Sequence, residues 1–163
     1  MKELVVHAER VVALLIARKQ TIVVAESSAG GLISAALLAV PGASACMRGG
    51  IVVYTREMRR EILGLRDDEV RGITPSTEQY ALLKARRARE RLNTDWALSE
   101  TGATGPTGSR YGFPPGHACF AVAGAVEAAR TLETGSADRV ENMQDFAAAA
   151  IDFLAEVVAS SPA

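Results

Sequence analysis

Cysteine and histidine are both scarce in this chain: Cys46 and Cys119 stand in no metal-like spacing, and the two histidines, His7 and His117, lie far apart. A structural zinc site needs closely spaced thiolate or imidazole pairs, so no metal is expected, no cofactor is called for, and the thiols are expected to stay reduced in a cytoplasmic protein. Aromatic residues make up only 5% of the chain and the formal net charge is -1. Neither feature draws the protein to nucleic acid or to an anionic membrane, and neither is expected as a partner. No apolar run reaches the roughly 18 residues of a membrane span, and the first twenty residues carry acids within their apolar pattern, unlike a signal peptide. Lysine is rarer than its class suggests: only Lys2, Lys19 and Lys84 are present.

What is present suits one α/β domain. The chain has 163 residues, 48% of them hydrophobic, and a chain of that size buries roughly 70% of its unfolded surface without a staple. Its centre is the stretch Thr21-Ile22-Val23-Val24-Ala25-Glu26-Ser27-Ser28-Ala29-Gly30-Gly31. A Val/Ile-rich run buried on both faces should be a strand, Thr21 to Ala25, and the apolar Leu32 to Val40 should be a helix. The turn between them is then a helix N-terminus, whose unpartnered N–H groups and positive dipole end would attract a phosphate, carboxylate or oxyanion. Gly30 and Gly31 would let that ligand approach the backbone, with Ser27 and Ser28 beside it.

Around this centre the pattern predicts an amphipathic helix over about residues 3 to 19, a second strand at Ile51 to Tyr54, a short charged helix from Glu57 to Leu63, and a helix ending near Leu92. That last helix should be capped by Thr74 or Ser76, with Lys84, Arg87 and Arg91 on a solvated face. Strands are expected at Asp95 to Ser99, His117 to Ala123 and Val126 to Leu132, and a final helix should start at Asp138. No helix fits between the third and fourth strands, so that pair should be antiparallel and the sheet mixed, mostly parallel. The connection Gly102 to Gly116 is rich in Gly and Pro and is read as the second wall of a site.

Four motifs carry a resemblance: Ala25-Glu26-Ser27-Ser28-Ala29-Gly30-Gly31, Pro41-Gly42-Ala43-Ser44-Ala45, Gly49-Gly50-Ile51-Val52-Val53-Tyr54, and Thr101-Gly102-Ala103-Thr104-Gly105-Pro106. In this order and spacing they resemble the C-terminal domain of CinA, the nicotinamide-nucleotide amidohydrolase family. The resemblance implies a three-layer α/β/α single domain and a metal-free serine amidohydrolase that converts nicotinamide mononucleotide to nicotinic acid mononucleotide and ammonia. It places the nucleophile on Ser27 and an orienting hydroxyl on Tyr54, with Glu26, Ser28, Gly30, Gly31, Ser44, Thr101, Gly102 and Gly105 around a small-molecule nucleotide. A homo-oligomer is expected.

One departure matters more than the rest. The family's Ser/Lys dyad places its lysine where this chain has Arg59. A lysine can accept the serine proton once its pKa is lowered, whereas an arginine, whose delocalised charge keeps it protonated at any ordinary pH, cannot. Arg59 is therefore read as an anion contact. Glu26 or His117 would have to serve as base, and no lysine in a family motif can take over. The rival expectations are a catalytically silent ligand-binding or sensor domain, with Arg59 as a bidentate anion clamp, and a nucleic-acid-associated competence protein.

Overall fold

Alternation along the strands decides how the layers stack. In the computed structural model, which describes residues 1–162, β1 (Ile22–Glu26) is an interior strand of the sheet. It pairs in parallel with β2 (Met47–Val52) and β3 (Trp96–Ala103). Then β4 (His117–Ala123) and β5 (Glu127–Glu133) continue antiparallel, giving the order β2-β1-β3-β4-β5, with β3 at the centre and β1 between it and the edge strand β2. On one face Ile22, Val24, Trp96, Leu98, Phe120 and Val122 pack under α1 (Lys2–Ala17), α2 (Leu32–Leu38) and α5 (Arg139–Ser160). The opposite face offers Val23 and a set of alanines, Ala25, Ala97, Ala121 and Ala123, to Ala81, Ala85 and Ala88 of α4 (Glu78–Leu92). Small residues on both surfaces let α4 lie close to the sheet, whereas the bulky face carries three helices over large side chains, each contributing about 1.5–3 kcal/mol of burial. The three-layer α/β/α arrangement and the mixed sheet follow the expectation from sequence.

Several boundaries differ, each for a local reason. β2 begins at Met47, not at Ile51, because the glycine pair Gly49-Gly50 belongs to the strand: a Cβ on Gly50 would stand 1.9 Å from Ser34 Oγ. β3 runs on to Ala103, which puts Thr101 and Gly102 on a strand and shortens the loop. The cap of α4 is Thr77, whose hydroxyl accepts the Tyr80 N–H at 3.2 Å, not Thr74 or Ser76. Asp138 caps α5 as expected, accepting from Val140 and Glu141 at 2.9 Å each. Between β2 and α4 lies the short helix α3 (Arg56–Glu61). No helix among the described residues is long and apolar enough to cross a membrane.

Candidate functional site

The site begins with two carboxylates under one turn. Glu26 ends β1 and is fully buried. Gly31 is the N-cap of α2, with a φ of 101° that suits glycine, and it offers no capping side chain. Glu26 supplies the cap instead, accepting from Gly31 N at 2.8 Å, Ile33 N at 3.1 Å, Ser34 N at 3.0 Å and Ser34 Oγ at 2.5 Å. From the neighbouring strand Glu100, also fully buried, takes the N–H groups of Ser27 and Ala29 at 2.9 Å each, and the Ser28 hydroxyl donates to its other oxygen. The chain's own carboxylates thus occupy most donors that the sequence reading offered to a ligand anion. The exceptions in the turn are the Ser28 N–H and the Ser27 hydroxyl, neither of which makes a hydrogen bond among the described residues. A hydroxyl followed by a free N–H is the layout in which one atom can attack a carbonyl and the next donor can hold its oxygen.

Beneath the turn lies Lys84. Sequence reading placed it on a solvated basic face, and the structure corrects this: Lys84 is 1% exposed, with Nζ donating to the Glu100 carbonyl at 2.9 Å and lying 5.9 Å from the centre of the Tyr80 ring. Lys84 follows Ala81 by three residues and precedes Ala88 by four, so it shares their apolar seam, and helical side chains lean toward the N-terminus, here toward Tyr80. Burial pushes its pKa down to about 8, against the pull of Glu100 and then Glu26. Burial likewise raises Glu26, opposed by the Ser34 hydroxyl and the Ser34 and Ile33 amides and reinforced by Glu100.

Above the turn opens a cleft of about 840 Å³ that brings together Ser27, Tyr54, Arg59, Thr101 and Gly102 with Arg56, Tyr80, Arg110 and Tyr111. Arg59 is buried, and its guanidinium pairs with Asp67 and reaches the Arg66 carbonyl at 3.4 Å. A smaller cavity of about 230 Å³ lies beyond Tyr54 and Gly102, lined by Ser28, Gly105 and Arg139 among others. Arg139 ties these walls together, donating to the Gly105 carbonyl at 2.7 Å and to Tyr54 Oη at 3.4 Å. Gly102 must be small: a Cβ there would be 2.5 Å from the His117 carbonyl and 3.0 Å from Ser28 Oγ.

Other nominated residues lie elsewhere or are otherwise engaged. Ser44 sits exposed in a 3-10 turn (Ala43–Ala45) just before β2, at the end of the parallel strands opposite Ser27, and lines neither cavity. Gly30 faces Met143 of α5, 2.7 Å from where a Cβ would be. Glu26 is not free to act as base, since four donors fill its carboxylate. His117 is not free either: Nδ1 faces Glu133, Nε2 lies 2.7 Å from the Ser76 carbonyl, and Phe113 stacks on the ring at 4.2 Å. The Gly/Pro-rich loop does border the Ser27 cleft, through Arg110 and Tyr111. Sequence reading missed Tyr80, Lys84, Glu100, Arg110, Tyr111 and Arg139. A legible signal existed only for Lys84, in its spacing from Ala81 and Ala88.

Comparison with known proteins follows this geometry. The CinA C-terminal domain family profile matches residues 5–158. A CinA-like protein of Chlorobaculum tepidum is 38% identical over 150 residues, covering 88% of this chain and 35% of that protein. A CinA-like protein of Prochlorococcus marinus strain MIT 9313 is 38% identical over 117 residues, covering 72% of this chain and 27% of its own length. The chain thus spans only about a quarter to a third of the curated relatives it matches. Among solved structures, the competence/damage-inducible protein CihA from Agrobacterium tumefaciens superposes with a TM-score of 0.87 at 26% identity, covering 96% of each chain. A CinA-superfamily protein from Klebsiella pneumoniae gives 0.89 at 25%, covering 96% of this chain and 98% of that one. With one profile running nearly end to end and the same fold in both structures, the chain belongs to the CinA C-terminal domain family.

Proposed function

We propose that this cleft binds a pyridine nucleotide and that the protein hydrolyses its linear amide slowly, releasing ammonia from nicotinamide mononucleotide with Ser27 as nucleophile. The observation that carries this reading is the Ser27 hydroxyl opening onto a cleft walled by Tyr54, Tyr80 and Tyr111 and by Arg56, Arg59 and Arg110. Aromatic faces suit a planar ring and guanidinium groups suit a phosphate. In this reading Ser27 Oγ attacks the amide carbonyl while the Ser28 N–H donates to the developing oxyanion. The adduct collapses with cleavage of the C–N bond so that the amine leaves with the serine proton as ammonia, and water then hydrolyses the acyl-enzyme to the free acid and Ser27. Slowness follows from the missing base, because a positioned base typically contributes about a hundred- to ten-thousand-fold. The same gap favours a second reading, a silent nucleotide-binding domain, since no acceptor among the described residues bonds Ser27 Oγ. Ammonia release by the purified protein, set beside Ser27→Ala, separates the two. Slow release that disappears in Ser27→Ala supports hydrolysis, release that persists refutes the nucleophile, and ligand binding with no release in either sample selects the silent domain.

A further inference from the structure

Beneath the reactive turn, two acidic side chains are withdrawn from water and one cation is withdrawn with them. Glu26 and Glu100 are both fully buried, on adjacent strands, and Lys84 is 1% exposed. No surface role accounts for a lysine there. An unpaired buried carboxylate protonates rather than remain charged. A protonated Glu100 would keep fewer acceptor sites and add a donor, facing a turn that already presents two N–H groups and a hydroxyl.

We propose that Lys84 is a positioning residue: as the internal counter-ion of Glu100 and Glu26, it keeps both carboxylates ionised so that they hold the Ser27–Ser34 backbone in its reactive shape. Lys84 lines neither cavity and acts through Glu100, whose main-chain oxygen it holds at 2.9 Å and whose carboxylate grips Ser27 and Ala29. The direction of influence follows from the layers. Helix α4 presses Lys84 against β3, which carries Glu100, and β1, which carries Glu26. Among the described residues no second cation pairs with either carboxylate: Tyr80 precedes Lys84 by one turn, Cys119 of β4 faces Glu100 as a thiol, and His117 of β4 is paired with Glu133 of β5. Arg59 is engaged with Asp67. This assignment deepens the cleft reading by naming what shapes its nucleophile turn, yet it concerns the turn itself and is measurable without turnover.

The test follows the backbone amide resonances of Ser27 and Ala29, which report Glu100, and of Gly31 and Ser34, which report Glu26, as pH is varied. In Lys84→Met the acid titration seen by these amides should move upward by about one pH unit or more, the usual size for loss of a nearby opposite charge. Lys84→Arg, which keeps the charge, should return the midpoint toward wild type. The double variant Lys84→Met/Glu100→Gln should recover most of the stability lost in Lys84→Met, because it removes the carboxylate left without a partner. An unmoved titration in Lys84→Met, or a double variant no more stable than the single, overturns the proposal. Ammonia release separates this from the cleft reading. Absence of hydrolysis with a shifted titration leaves the counter-ion standing, and hydrolysis with an unmoved titration does the reverse.

Discussion

Arg59 separates charge from basicity. It is buried at the cleft wall, and Asp67, its ion-pair partner, is 72% exposed. Removing the guanidinium therefore leaves a solvated carboxylate, and Arg59→Ala should destabilise by only about 1–2 kcal/mol, chiefly through lost packing of the arginine stem. Chemical denaturation checks that figure, and a loss above about 4 kcal/mol would mean the ion pair matters more than its exposure suggests. Arg59→Lys should raise ammonia release, by up to about a hundredfold if the amine reaches Ser27 Oγ in its neutral form. Unchanged release would show that the site has been reshaped around guanidinium. Ser27, Tyr54 and Arg59 were legible because local motifs carry them. Lys84 left only its spacing from Ala81 and Ala88, set against the rule that a charged helix residue faces water, and Glu100 left no signal, because its partners in the turn lie far away in sequence.

At the scale of elements, α2 is a seven-residue helix whose N-cap is a glycine. Alone it would be too short to persist. Glu26 makes it viable by satisfying three amides and one hydroxyl, a larger share of a helix start than an ordinary capping side chain takes. Glu26→Ala should cost about 2–4 kcal/mol, since each donor stranded in the interior carries its own desolvation penalty. Glu26→Gln, which keeps one acceptor oxygen, should cost less. Thermal unfolding of the two variants checks the order, and equal losses would discount the cap. The strand-to-helix switch was legible from the Val/Ile run and the glycine pair. What sequence could not show is that the donors freed by that switch would be met from within, because Glu100 lies 73 residues from the Ser27 amide it accepts.

For the whole molecule, the buried lysine leaves a mark on stability. Its native pKa of about 8 lies below the ordinary 10.5. Between those values the unfolded chain binds a proton that the native state has released, so this group raises stability as pH climbs through the window, and its cost is fully present below about 8. The wild type should gain on the order of 3 kcal/mol across the window from this group, and Lys84→Met should lack that gain. Urea midpoints at pH 8 and pH 10 measure the difference, and parallel curves for the two proteins would refute it. The layer order was legible because helix and strand periods alternate cleanly along the chain, whereas strand ends such as Met47 and Ala103 depend on neighbours far away in sequence. The sheet order has a bearing on biosynthesis as well. The wholly buried β1 leaves the ribosome early, yet its partner β3 begins only at Trp96. For the intervening stretch of translation one edge of this Val/Ile-rich strand has no partner, and an unpaired apolar strand edge is the kind of surface on which nascent chains associate.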